Sequence, residues 1–226
     1  MSISYWQQRS QIMNARDRIA KQAAAYFSPG DVVNLGIGIP SLCGDYAAPG
    51  VMFHTENGLV GVGSLCDGML AVEGFSNATA MRFIPVPGAS AFDSAESFGL
   101  VRSGKLAATV LGALQVAENG DLANWAQPGR VFGMGGAMDL VNGARKVIIA
   151  MELTSKQGKP KIVKSCDFPL TGKACVDHIV TEQCVIDVTR DGLVLVALLE
   201  GLTPEDIQKQ IEPRLIVADH LATIPV

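Results

Sequence analysis

The sequence predicts a layered α/β fold in which helices flank a mainly parallel sheet. Three observations predict it. Apolar runs such as Ala107 to Val116 and Lys146 to Met151 are nearly continuous, as strands covered on both faces require. Amphipathic segments with helix caps separate those runs, which is the alternation of a layered α/β domain. Glycines gather where the strands should end, at 36–38, 58–63, 112, 129–136 and 192.

The first helix is expected over residues 14–27, with Asn14 as N-cap, Asp17 in the first turn, and Ile19, Ala23, Tyr26 and Phe27 near helical spacing. Ser28-Pro29-Gly30-Asp31 ends it. Val32 to Leu35 reads as a short strand running into Gly36-Ile37-Gly38-Ile39-Pro40, and Val51 to His54 as a second strand before the turn Glu56-Asn57-Gly58. Residues 91–103 read as a helix with Phe92, Ala95, Phe98, Leu100 and Val101 on its apolar face. Residues 107–116 and 146–151 supply buried strands. Ile179-Val180 and Val185 to Val188 follow, with Leu193 to Leu198 completing a hairpin across Thr189-Arg190-Asp191-Gly192. Thr203-Pro204-Glu205-Asp206 is an N-cap, a proline at the first helical position and two first-turn acids, opening a helix to about Ile211.

Composition narrows the function classes. With 48% hydrophobic and 18% charged residues, the chain should bury a large core extended by a subunit interface. A net charge of −4 without a Lys/Arg cluster excludes a nucleic-acid or anionic-membrane footprint. No run of about 18 apolar residues offers a membrane span. The opening MSISYWQQRSQ is polar, so residues 1–13 are expected to be an extension to a single domain covering 1–226, neither signal nor anchor. Five cysteines without a CxxC pair then read as free buried thiols in a reducing cytosol, and the expected location is cytoplasmic. Three scattered histidines and unpaired cysteines supply no metal-ligand cluster.

Gly36-Ile37-Gly38 invites a dinucleotide reading, but that fingerprint needs a third glycine at position 41, which is Ser; a phosphate loop would need Gly-Lys-Ser/Thr, which is absent. The two glycines otherwise permit a tight turn. Gly133-Met134-Gly135-Gly136-Ala137-Met138 says more. Each glycine there costs a helix or strand about 1 kcal/mol relative to alanine, so the backbone itself should have a task. That task is either a nest of N–H donors for an anion or oxyanion, or a close packing contact. Glu56 stands just after an apolar strand and before the turn signal Asn57-Gly58, a place that would project it from the sheet rim among these glycines. Taken alone it could equally be an exposed turn carboxylate.

Resemblance decides between these. HTENGLVGVG resembles the signature of the family I coenzyme A transferases, in which a Ser-Glu-Asn-Gly segment carries the active-site glutamate; Thr55 stands here where that signature has Ser. DVVNLGIGIP, PVPGASAFDSAESFGLVRSG, LGALQVAENGDLANWAQPG, GMGGAMDLVNGARKVIIAME, PLTGKACVDHIVTE and EGLTPEDI are similar to the β subunits of acetate/acetoacetate-type enzymes. They are equally similar to the C-terminal half of the fused succinyl-CoA:3-oxoacid enzyme. The likeness runs from about residue 14 to about residue 219.

The resemblance implies the open-sandwich fold of that family and ping-pong chemistry, with Glu56 as the carboxylate that is acylated and then carries CoA as a γ-glutamyl thioester. It places Gly135 or Gly136 as an oxyanion donor, worth about 3–4 kcal/mol, and Asn34 beside the nucleophile. Gly36, Gly38, Asn57, Gly58 and Gly133 would form the substrate and CoA loops. It implies no permanently bound cofactor, the CoA thioester being substrate. It implies a separate α subunit carrying most of the CoA site, in a heterotetramer or larger assembly. A short monocarboxylic or 3-oxo acid of the acetate, butyrate or acetoacetate type is the first expectation, because no Arg stands beside Glu56; 3-oxoadipate and succinyl-CoA:3-oxoacid exchange are the second. A His54–Cys nucleophile has nothing to orient it. A phosphosugar isomerase on this scaffold would need clustered cations, and Arg82, Arg102, Arg130 and Arg145 are dispersed. A ligand sensor would have no use for a nucleophilic carboxylate.

Overall fold

The computed structural model describes residues 13–65, 76 and 82–226; Cys66 and nearly all of the expected N-terminal extension lie outside the described residues. The described residues open with α1 (Ala15–Ala24), β1 (Val32–Leu35), a 3-10 turn (Pro40–Asp45), β2 (Met52–Thr55), β3 (Leu59–Leu65), β4 (Phe83–Ala91) and α2 (Ser94–Arg102). β5 (Ala108–Leu111), β6 (Gln115–Ala117), β7 (Leu122–Ala123), β8 (Ala126–Gln127), β9 (Arg130–Val131), α3 (Ala137–Gly143), β10 (Val147–Ala150) and β11 (Ile162–Val163) follow. β12 (His178–Val180), β13 (Cys184–Thr189), β14 (Gly192–Leu199), α4 (Pro204–Gln208) and β15 (Leu215–Ile224) complete it.

Ten strands make one sheet in the order β15-β14-β13-β12-β10-β5-β1-β2-β3-β4. Its centre, from β12 to β2, is parallel, and β14 pairs parallel with β15. The pairs β2–β3, β3–β4, β12–β13 and β13–β14 are antiparallel; short turns join β2 to β3, β12 to β13 and β13 to β14, whereas a parallel neighbour needs a crossover. The mainly parallel α/β sheet expected from the sequence is therefore present, with hairpins flanking its centre.

The continuous apolar runs have a direct cause. In β10, Val147 and Ile149 belong to one hydrophobic core while Ile148 and Ala150 belong to another on the opposite face. In β5, Leu111 faces the first core and Ala108 and Val110 the second. A strand alternates its side chains between faces, so a sheet with two cores needs apolar residues at every position. α1 covers the second core with Ile19, Ala20, Ala23 and Ala24; α2 and α3 cover the first with Val101, Leu140 and Val141. Among the described residues no helix is long and apolar enough to cross a membrane.

Several element boundaries differ from the sequence reading. α1 begins where expected, the Asn14 side chain accepting the Asp17 N–H at 2.9 Å, but closes at Ala24, and Tyr26 and Phe27 lie beyond it. The helix expected over 91–103 starts only at Ser94: Ala91 still pairs in β4, and Asp93 is the N-cap, accepting the Glu96 N–H at 2.9 Å. The run 107–116 is not one strand. It breaks after Leu111 and resumes as β6 in a separate three-stranded sheet of order β11-β6-β7. The last helix ends at Gln208, and Ile211 is buried outside it.

Candidate active site

β1, β2 and β5 are parallel neighbours, with Asn34 level with His54 on one side and Thr109 on the other. Their carboxyl ends therefore open on one rim, where open α/β sheets hold their ligands. A cleft of about 680 Å³ lies there, lined by Asn34 near the end of β1 and Gly36 after it, by Glu56 after β2, by Leu111 at the end of β5 and Gly112 after it, and by residues 132–137. Gly192, grouped with the strand-end glycines in the sequence, instead closes the β13–β14 hairpin beside a different cleft.

Glu56 is half-buried in the turn that joins β2 to β3. The Gly136 N–H donates to its Oε1 at 3.3 Å. Gly136 is also the N-cap of α3, so the contact joins the end of β2 to the start of that helix. A Cβ added at Gly136 would overlap the Glu56 carboxyl group and the Phe98 ring, whereas one at Gly135 would lie 3.4 Å from Oε1. Gly133 and Gly135 have φ of +95° and +49°, the left-handed backbone that glycine adopts freely. The Gly133 to Gly136 segment is thus a loop that comes close to Glu56 at Gly135 and Gly136 and leads into α3.

Of the remaining residues expected at the site, Asn34 and Gly36 line the cleft and Gly38, Asn57 and Gly58 do not. Asn34 lines the cleft, yet its side chain is turned into the sheet: Nδ2 meets His54 Nδ1 at 3.1 Å and the His54 carbonyl at 3.3 Å, and Oδ1 accepts from Thr109 Oγ1 at 3.2 Å. Gly36 lines the cleft, but its N–H is committed to the Val110 carbonyl at 2.8 Å, and a Cβ there would crowd that same oxygen. Gly38, Asn57 and Gly58 are not among the residues lining the cleft. Gly38 is an open turn residue with φ +87°. Asn57 accepts from Thr55 Oγ1 and donates to the Ser76 carbonyl at 3.0 Å, which ties down the outside of the turn. Gly58 packs against Phe92, whose N–H bonds the Gly58 carbonyl at 2.9 Å.

Sequence reasoning weighed His54 only as an unoriented nucleophile partner and Phe98 only as part of an apolar helix face, and passed over Ser97 and Thr109. His54 is 2% exposed, and burial lowers its pKa from 6.5 to about 4, so the ring is neutral near pH 7. Its Nε2 lies 2.9 Å from Ser97 Oγ. The one available signal was a lone His inside an otherwise apolar strand. Phe132 and Met134, each 47% exposed, and Ile37, 66% exposed, give the mouth of the cleft an apolar rim. Among the described residues no three His, Cys, Asp or Glu side chains gather as a metal site would need. Cys43 and Cys184 are buried and free, and burial pushes both thiols up to about 12; Cys166 and Cys175 are free but only partly buried.

A family model described as Coenzyme A transferase matches residues 16–210, and the chain belongs to that family of enzymes. Within it, the chain corresponds to the β subunit. A probable coenzyme A transferase β subunit of Bacillus subtilis (strain 168) is 43% identical over 203 residues, 88% of this chain and 94% of that protein. The corresponding β-type subunit of the succinyl-CoA:3-ketoacid coenzyme A transferase of Helicobacter pylori (strain ATCC 700392 / 26695) is 41% identical over 200 residues, 87% of this chain and 96% of that one. A mitochondrial succinyl-CoA:3-ketoacid coenzyme A transferase 2B of Mus musculus is 46% identical over 199 residues; the chain spans only 38% of its length. Among solved structures, the acyl-CoA transferase YdiF apoenzyme of Escherichia coli O157:H7 shares the fold, with a TM-score of 0.75 and 20% identity over 95% of this chain and 44% of that one.

Proposed function

We propose that this chain is the catalytic β subunit of a transferase that moves CoA from succinyl-CoA to a short 3-oxo acid, with Glu56 as the acylated carboxylate. The observation that carries the reading is the Gly136 N–H held against Glu56 Oε1 at the open rim of the sheet. The substrate pair follows the names of the relatives, which favour the succinyl-CoA:3-oxoacid alternative over the acetate or butyrate type first expected.

The chemistry runs in two mirrored halves. The Glu56 carboxylate attacks the thioester carbonyl of the donor, and the tetrahedral oxyanion collapses to expel CoA thiolate and leave a mixed anhydride. The thiolate attacks the Glu56 acyl carbon; the donor acid leaves as its carboxylate, and Glu56 becomes a γ-glutamyl-CoA thioester. The acceptor carboxylate attacks that thioester, expelling thiolate again, and the thiolate attacks the acceptor acyl carbon of the new anhydride. Acyl-CoA departs and the Glu56 carboxylate is restored. One difficult exchange becomes several easier ones. When the Glu56 carbon is tetrahedral, its oxygen carries the charge, and an N–H already within 3.3 Å of that oxygen needs little reorganisation to meet it.

A separate α subunit completes the site in this reading, in a heterotetramer or larger assembly, which accords with the subunit names of the Bacillus and Helicobacter relatives. The apolar rim of Ile37, Phe132 and Met134 suits burial against such a partner. The cytoplasm is the proposed compartment, on the free buried thiols of Cys43 and Cys184.

The test is covalent trapping. The αβ complex is incubated with succinyl-CoA, reduced with borohydride or cleaved with hydroxylamine, and digested for mass spectrometry. The peptide containing Glu56 should carry the modification. Full turnover by Glu56→Ala would end the proposal, and full activity of the purified chain alone would end its need for a partner.

A further inference from the structure

A chain of buried hydrogen bonds runs behind the cleft. Thr109 Oγ1 donates to Asn34 Oδ1, the Asn34 amide donates to His54 Nδ1, and His54 Nε2 meets Ser97 Oγ at 2.9 Å. Their exposures are 0%, 3%, 2% and 0%, so water competes for none of these contacts. The Asn34 nitrogen also meets the His54 carbonyl, which can only accept, and this fixes which end of the amide faces the ring. Nδ1 is therefore the acceptor, the proton sits on Nε2, and His54 donates to Ser97. Neither His54 nor Ser97 lines the cleft, so the pair is out of reach of substrate.

Ser97 belongs to α2, and the next residue of that helix is Phe98, whose ring stands close to Gly136. One turn further on, Arg102 bonds Asp139 of α3 at 2.7 Å. α2 is thus pinned to β2 by the His54–Ser97 bond and packed against the start of α3 by Phe98 and Arg102. Gly136, at that start, offers its N–H to Glu56, and Glu56 follows His54 by two residues. The path closes on itself: His54, Ser97, Phe98, Gly136, Glu56.

We propose that His54 is a positioning residue, which sets the Gly136 N–H against the Glu56 carboxylate by holding α2 through Ser97. The proposal rests on Glu56 being the acylated carboxylate. The neutral ring suits this task, since a bond whose donor keeps its single proton at working pH holds one geometry. Removing the bond frees α2 to drift, and misplacement by about 1 Å at a reacting centre can cost on the order of 10²-fold in rate.

The test uses the αβ complex with His54→Leu, Ser97→Ala and His54→Gln. Steady-state kcat and KM for succinyl-CoA are measured together with the single-turnover rate of Glu56 labelling. His54→Leu and Ser97→Ala should lower both kcat and the labelling rate by about tenfold or more, with KM within about twofold. His54→Gln should stay within about threefold of wild type, because its amide offers one acceptor for Asn34 and one donor for Ser97. If His54→Leu fails to assemble, Ser97→Ala decides alone. Wild-type kcat in Ser97→Ala, or a rise in KM at unchanged kcat, would overturn the proposal, as would a His54→Gln variant as slow as His54→Leu. A wild-type complex that turns over without labelling at Glu56 would instead strike the reading beneath, and this control tells the two failures apart.

Discussion

Gly136 gives its backbone N–H to Glu56 Oε1 at 3.3 Å, and its missing side chain leaves the room in which that carboxylate sits. The two facts are one constraint: the position must be glycine because the donor must come this close. Gly136→Ala should therefore keep the fold and lose turnover. A Cβ at 136 meets both the carboxyl group and Phe98, so Glu56 must swing away, and kcat should fall by about 10²-fold. Steady-state assay of the αβ complex, with circular dichroism to check folding, measures it. Turnover within a few-fold of wild type would show that the contact does not matter.

Chemistry at Glu56 should depend on its charge more than on its length. Glu56→Gln preserves the volume beside Gly136 but cannot attack a thioester, and activity should drop by about 10³-fold or more. Glu56→Asp keeps the charge and withdraws it by one methylene from the Gly136 N–H, for which a loss of about 10²-fold is expected. Reversal of that order would mean that the carboxylate binds substrate and does not react with it.

Acid should find the buried histidine. The His54 ring stays neutral in the folded chain down to about pH 4, while an unfolded histidine takes its proton near 6.5. Between those values the unfolded state binds the extra proton, so stability falls as pH drops through that window and the loss levels off below it. The full gap corresponds to about 3 kcal/mol, and about 2 kcal/mol of it is lost between pH 7 and pH 5. For a chain of this size that is a fall of about 4–8 °C in thermal midpoint. His54→Gln carries no such proton. Taking the complex from pH 7 to pH 5 should lower the wild-type midpoint by that much more than the variant's; equal falls would refute the assignment.

The sheet and the placement of Glu56 were legible because each rests on a local pattern. β5 and β10 are apolar at every position since a core lies on each face, and Glu56 precedes an Asn-Gly turn that the hairpin requires. What was illegible depends on partners distant in sequence. Gly36 and Gly58 read as ligand loops, and their tight packing against Val110 and Phe92 has no local mark in the sequence. The 107–116 run looked like one strand because β5 and β6 are both fully buried, although they belong to different sheets. The edge strand β15 is exposed along most of its length, and its apolar start Leu215-Ile216-Val217 is too short to announce a ten-residue strand. His54 and Ser97 are 43 residues apart, and nothing local marks their bond.

Gly58 separates stability from catalysis. It is close to Glu56 in sequence but lines no part of the cleft; its φ is +121°, and a Cβ would run into the Phe92 carbonyl. Gly58→Ala must both strain the backbone and push away the segment whose Phe92 N–H bonds the Gly58 carbonyl. Strain of this kind costs about 1–3 kcal/mol, which lowers the thermal midpoint of a chain this size by about 2–12 °C. Once folded, the variant keeps Glu56 and Gly136, so its kcat per assembled complex should stay within a few-fold of wild type. Measuring midpoint and kcat on the same preparation checks both halves. A variant of native stability would mean that the β2–β3 turn relaxes around the methyl group, and a stable variant with no turnover would mean that the turn reports directly on the carboxylate it carries.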